Sequence, residues 1–261
     1  MLGSSMKKYF WAFAILGALC ATVQAAEVKV NSPDGKAVIT VTDAGGLSYA
    51  VTFDGREVVA KSRFGIIADD VDLGADAKLG KTSSRKIRES YSMFGGHSEA
   101  NNNCRETTVA VRTAAGENYE LDVRAYNDGV AFRYFIPAST PVEEILIRNE
   151  ATEFNFANPS ALMHLPAQPD YDLPFVVEQP GIGWIAIAEA GTESKSVQYP
   201  RTYLARTDSG MITTLARSTK EPSIAYAGPT PLVWPWRAVL VGSGREGLMQ
   251  SNTLRNLDKR P

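Results

Sequence analysis

Apolar and polar residues alternate in short runs along most of this chain. Tyr119, Leu121, Val123 and Ala125 alternate with Glu120, Asp122 and Arg124; Val130, Phe132, Tyr134 and Ile136 alternate with Ala131, Arg133 and Phe135. A period of two places successive side chains on opposite faces of a strand. The two runs meet through Asn127-Asp128-Gly129, which predicts a β-hairpin with Gly129 in the left-handed position of a short loop.

The signature recurs. Val28–Val30 and Lys36–Thr42 flank Ser32-Pro33-Asp34-Gly35, and Leu47–Phe53 and Arg56–Ala60 flank Asp54-Gly55. Thr107–Arg112 precedes Tyr119–Ala125 across Gly116, and Tyr203–Arg206 precedes Met211–Ala216 across Asp208-Ser209-Gly210. No long segment has helical periodicity, although Ser160–Met163 could form one turn. Residues 74–105 are polar and irregular and read as a long decorated loop region. The pattern predicts an all-β chain, a large antiparallel β-sandwich in preference to a barrel. No linker rich in Pro, Gly or Ser divides residues 26–261, which read as one domain.

The amino terminus changes the picture. Lys7 and Lys8 precede the apolar run Tyr9–Leu19, and Val23-Gln24-Ala25 supplies small residues for cleavage. Residues 1–25 therefore read as a secretory signal peptide, and the protein as exported and periplasmic. A lipoprotein reading through Cys20 is disfavoured by the bulky Leu19. Cleavage after Ala25 removes 25 of 261 residues and leaves 236. It also reduces the 27 Lys and Arg to 25 against 29 Asp and Glu, a net charge of −4. With no basic stripe evident along the sequence, nucleic acid is not an expected partner. No later segment is long and apolar enough for a membrane span. Cys104 is the sole mature thiol, so no internal disulfide forms, and its polar neighbours Asn101–Arg105 argue against a nucleophile.

Candidate chemistry is sparse. Asp70-Val71-Asp72-Leu73-Gly74 suggests a calcium loop, but the twelfth position from Asp70, where an EF-hand needs a bidentate Glu, is Lys81. His97 and His164 could serve a mutarotase-like sugar epimerase with a Glu as acid or base. They lack the spacing of a zinc site or the partners of a Ser-His-Asp triad. No glycine-rich phosphate loop occurs. Trp184, Trp234 and Trp236 could stack on sugar rings, with core packing the commoner fate of an indole. Pro235 between the last two marks an edge or a rigid extended segment. Glu189 ends the run Trp184–Glu189 and shares a strand face with Ile185 and Ile187. A carboxylate there needs a cation, an Arg or solvent.

Six stretches occur together in order: Ser32-Pro33-Asp34-Gly35-Lys36, Tyr126–Tyr134, Thr152-Glu153-Phe154-Asn155-Phe156, Glu189-Ala190, Pro235-Trp236-Arg237 and Gln250–Leu257. Together they resemble the N-terminal domain of glycoside hydrolase family 97, the bacterial α-glucosidases and α-galactosidases. The resemblance covers nearly all of residues 26–261. It implies a galactose-mutarotase-like supersandwich packed against a catalytic (β/α)8 barrel, in cis or encoded nearby, and α-linked glucosides or galactosides as substrates. It also implies calcium at the active site, with one ligand from this domain, which falls on Glu189. In the family pattern a His often precedes that Glu; here it is Ala188. The chain ends at Pro261, about where the barrel begins, so the expectation is a non-catalytic domain, inactive alone. Glu143 and Glu144 could not replace the barrel carboxylates, because adjacent residues on a strand point apart. A standalone carbohydrate-binding or scaffolding module is the alternative, and the mutarotase-like epimerase a third reading.

Overall fold

A computed structural model describes residues 25–92, 99–138, 144–193 and 197–258. The signal segment through Gln24, with Cys20, and also His97 and Glu143 lie outside the described residues. The first strands are β1 (Glu27–Asn31), β2 (Ala37–Thr42), β3 (Ser48–Phe53) and β4 (Arg56–Arg63). They are followed by β5 (Ile66–Ala68), β6 (Val71–Asp72), β7 (Lys78–Ser92), β8 (Glu99–Arg112), β9 (Asn118–Tyr126) and β10 (Gly129–Ile136). Next come β11 (Glu144–Glu150), β12 (Glu153–Asn155), a 3-10 turn (Pro159–Leu162), β13 (Tyr171–Asp172), β14 (Phe175–Gln179) and β15 (Gly183–Ala190). The remainder is β16 (Thr202–Arg206), β17 (Gly210–Leu215), β18 (Tyr226–Pro229), β19 (Leu232–Val233), β20 (Trp236–Gly242), α1 (Arg245–Met249) and α2 (Thr253–Asp258).

The strands pair antiparallel. One large sheet runs β14-β15-β20-β10-β9-β8-β7, with β19 also paired to β10. Three four-stranded sheets, β1-β2-β3-β4, β18-β11-β5-β6 and β12-β17-β16-β13, form the other layer. The all-β sandwich expected from the alternation is the observed architecture. The inner face of the large sheet presents Val130, Phe132, Tyr134, Leu121, Val123, Ile185 and Ile187 to this layer. Phe132 lies 4.9 Å, centroid to centroid, from both Tyr49 and Phe64, which are 4.8 Å apart. Each such ring pair adds about 0.5–1.5 kcal/mol beyond its buried area. On the outer face, Ala131, Ala186, Ala238, Leu240 and Trp236 pack with Leu248, Leu254 and Leu257 of the carboxy-terminal segment. The small residues on three adjacent strands leave room for α1 and α2.

Two expectations are corrected. Residues 74–105 are mostly strand: β7 and β8 form a ladder that Lys78↔Arg112 and Ser92↔Glu99 bound. β7 is a solvent-facing edge, exposed at nearly every position, so it has no apolar face to mark it. β8 does alternate, but its buried positions include Asn102 and Glu106. The hairpin expected at 119–136 is present, with Gly129 paired to Tyr126, yet Gly129 does not have positive φ. It is needed for close approach instead: a Cβ there would sit 2.4 Å from Val239 O. At Asp54-Gly55 both residues do have positive φ, 50° and 74°, as a two-residue hairpin turn of this composition favours.

Candidate functional site

Glu189 lies at the end of β15, directly across from Arg237 on β20, and both face inward. Next to them Glu150 ends β11. Arg237 and Glu150 have 1% and 0% side-chain exposure, whereas Glu189 has 22%. A guanidinium so placed must have every N–H satisfied. Its Nε donates to Glu150 Oε1 at 2.9 Å, and Nη2 donates to Glu150 Oε2 at 2.5 Å and Thr202 Oγ1 at 3.0 Å. Nη1 donates to Glu189 Oε2 at 3.2 Å and to the Trp236 carbonyl at 3.4 Å. Trp234 Nε1–H adds a 2.7 Å bond to Glu150 Oε2. Burial opposes the charge on Arg237, but Glu150 and then Glu189 outweigh it and hold the guanidinium pKa above its ordinary value.

One cation thus faces two carboxylates. Glu150 takes the bidentate pair, while Glu189 has one long hydrogen bond on Oε2; its Oε1 accepts none from a described residue. The cluster has a net charge of −1 at its exposed end. That donor suits a hard cation, which prefers oxygen ligands, but calcium takes about six to eight oxygens, from carboxylates, carbonyls and water together. Among the described residues no group of three or more His, Cys, Asp or Glu side chains is placed to hold a metal. Glu189 by itself fits a single ligand position for such a cation. The chain also returns to this edge at its end: Asp258 Oδ1 accepts from Gly191 N–H at 2.6 Å, two residues beyond Glu189.

The other candidates separate from it. Trp234 and Trp236 are buried, each 1% exposed. Trp184 is half-buried under the Arg245 guanidinium, 4.3 Å from the ring centroid. Trp236 has the Arg124 and Arg133 guanidiniums over its ring at 4.7 and 4.4 Å. No indole among these offers an open platform to a sugar. His164 is exposed and pairs with no carboxylate among the described residues. Cys104 is buried, and burial pushes its thiol pKa up. Asp70 lies in a strained turn, φ 68°, paired with Arg148 at 3.0 Å. Glu144 begins β11 at the surface. Pro235 falls between β19 and β20, where both pair with β10. Glu150 and Thr202 were not marked by the sequence pattern. The available signal was Arg237 itself, a lone charge in an apolar run that demands a buried acid.

A family model described as the glycosyl-hydrolase 97 N-terminal domain matches residues 30–172 and 159–259. Over 133 residues the chain is 31% identical to a retaining alpha-galactosidase of Bacteroides thetaiotaomicron, covering 49% of this chain and 20% of that protein. It is 30% identical over 108 residues to a probable retaining alpha-galactosidase of Streptomyces bingchenggensis, covering 41% and 17%. The chain thus spans about a fifth of these relatives. Among solved structures, a glycoside hydrolase family 97 enzyme from Pseudoalteromonas sp. strain K8, in complex with acarbose, superposes with TM-score 0.78 at 22% identity, covering 89% of this chain and 38% of that one. A beta-arabinopyranosidase gives 0.70 at 21% identity, covering 83% and 40%.

Proposed function

The chain belongs to the glycosyl-hydrolase 97 N-terminal domain family, and from that membership we infer that it supports a calcium-dependent, exo-acting α-glycosidase. In this reading a (β/α)8 barrel, in cis or encoded nearby, carries out hydrolysis of α-linked galactosides or glucosides outside the cytoplasm. This chain is the non-catalytic partner. It contributes one oxygen ligand, Glu189, to a calcium ion shared with the barrel. The supporting observation is the unequal sharing of Arg237, which leaves Glu189 Oε1 without a hydrogen bond from any described residue at a partly exposed edge.

When bound, calcium would supply a fixed positive charge that orients and polarises oxygen ligands at the reacting sugar. The chain's residues do the positioning. Glu150 and Thr202 hold the Arg237 fork in place, and Arg237 Nη1 holds Glu189 Oε2. Asp258 fastens the α2 end to Gly191, two residues beyond Glu189. The test is turnover of aryl α-galactosides and α-glucosides at graded calcium, by this chain alone and with its barrel polypeptide. Alone it should show none. With the barrel, Glu189→Gln should raise the calcium requirement by about 10–100-fold. Turnover by the chain alone would overturn its non-catalytic role, and an unchanged calcium requirement would overturn Glu189 as ligand.

A further inference from the structure

β7 and β8 bring together charges that lie far apart in sequence. Lys86 stands directly opposite Arg105, and Arg88 lies one step along the same face, opposite Asn103. All three cations are exposed, and among the described residues none makes an ion pair. Like charges directly opposite on a ladder repel. Basic residues on β7 are expected, since charge on an edge strand discourages pairing with another chain. That reasoning does not cover Arg105, which lies on β8 between β7 and β9. On the other face the corresponding charges are matched: Glu106 accepts from Arg85 Nε and from Arg124 Nε, each at 2.6 Å. The arrangement is therefore one-sided, a compensated outer face and an uncompensated inner one.

Residues of the uncompensated face, joined by Arg85 and Cys104 of the other, line a groove. Where the ladder runs past β1, two adjoining depressions of about 470 and 260 Å³ share Lys86 and Arg105. Asn103 lines the first, and Lys29 and Asn31 of β1 line the second. Lys29 is paired with Glu27 at 3.0 Å. Among the described residues no aromatic ring lines the groove for a nucleobase to stack on, and none of the exposed large apolar residues, Met163, Val176, Val233 and Met249, lies in it. It lacks the apolar anchor that a protein interface or a membrane-inserting surface uses. It offers cations spaced along a strand, with neutral amides between them. We propose that this groove binds an anionic glycan, a polysaccharide chain bearing carboxylate or sulfate groups, at a site separate from Glu189. Lys86, Arg88 and Arg105 pair with the acidic groups, and Asn31 and Asn103 bond the hydroxyls. The site is independent of the calcium reading.

The experiment uses the purified chain on immobilised polygalacturonate, dextran sulfate and neutral dextran. Retention is expected on one or both acidic polymers and not on neutral dextran, and added salt should weaken it. The triple variant K86S/R88S/R105S, checked for folding by circular dichroism, should bind at least about tenfold more weakly, since each charge-assisted contact contributes to affinity. The control R206S/K220S, which removes two exposed charges elsewhere, should bind as the parent does. Anionic phospholipid vesicles and a single-stranded oligonucleotide complete the panel. The proposal is overturned by retention on neither acidic polymer, by equal retention of the triple variant, or by binding confined to vesicles or oligonucleotide.

Discussion

Glu150 and Arg237 have almost no contact with solvent, and such a pair is tolerated only when its hydrogen bonds are complete. Glu150→Ala leaves the guanidinium desolvated with Glu189 as its remaining acid. The expected loss is about 3–5 kcal/mol, read as a lower urea midpoint. Glu189→Ala removes only one long bond to a partly exposed carboxylate and should cost under about 1 kcal/mol. A larger loss for Glu189→Ala than for Glu150→Ala would show that Glu150 is not the support of Arg237. Cys104 gives a second test at this scale. Its buried thiol has a raised pKa, and the thiolate is the reactive form, so a thiol reagent should label it fast only after denaturation. Glu189 could be singled out in the sequence because strand parity set it beside Ile185 and Ile187. Glu150 could not: it lies 87 residues from Arg237, and nothing local distinguishes it from the other acids.

Elements were legible where one face is apolar and obscure where neither is. β9 and β10 alternate cleanly because one face meets the core. β7 has solvent on both faces, so its sequence resembles a loop although its backbone is a ladder of 15 residues. The Asn127-Asp128-Gly129 signal located the turn correctly but gave Gly129 the wrong reason. Gly129 sits in β10 against β20, where a Cβ would lie 2.4 Å from Val239 O and 2.9 Å from Leu240 Cα. Neither contact is with the end of a flexible side chain, so two central strands must shift to admit Ala. Gly129→Ala should cost about 1–3 kcal/mol as overpacking. Gly55→Ala should cost about 1 kcal/mol, because φ is 74° and no atom lies within 4 Å of a Cβ there. A smaller thermal-melt shift for Gly129→Ala than for Gly55→Ala would refute the close-approach account.

Across the whole molecule, the sandwich was legible but its layering was not, because the partner of each sheet face is set by contacts distant in sequence. Those contacts bury phenols at several levels of the core, with a consequence for pH. Tyr49, Tyr119, Tyr126 and Tyr134 all have pKa values raised above the ordinary phenol range, burial being the main cause in each. Their partners explain why burial is tolerated while they stay neutral. Tyr49 donates to the Glu153 carbonyl at 2.7 Å, Tyr119 to the Leu73 carbonyl at 2.9 Å, and Tyr134 accepts from Gly65 N–H at 3.1 Å. In the unfolded chain these phenols ionise near pH 10. Above that pH the folded state holds more protons than the unfolded one, so stability is fully present below about pH 10 and falls as pH rises. Each fully protected tyrosine steepens the decline by about 1.4 kcal/mol per pH unit, and four of them would consume an ordinary stability of about 5–15 kcal/mol within one to three units. Phenolate absorbance and circular dichroism should therefore change together in a steep alkaline transition. Complete ionisation near pH 10 with an unchanged dichroism spectrum would mean that these rings are not buried as described, Tyr49, Tyr119 and Tyr134 between the two layers and Tyr126 under the carboxy-terminal segment.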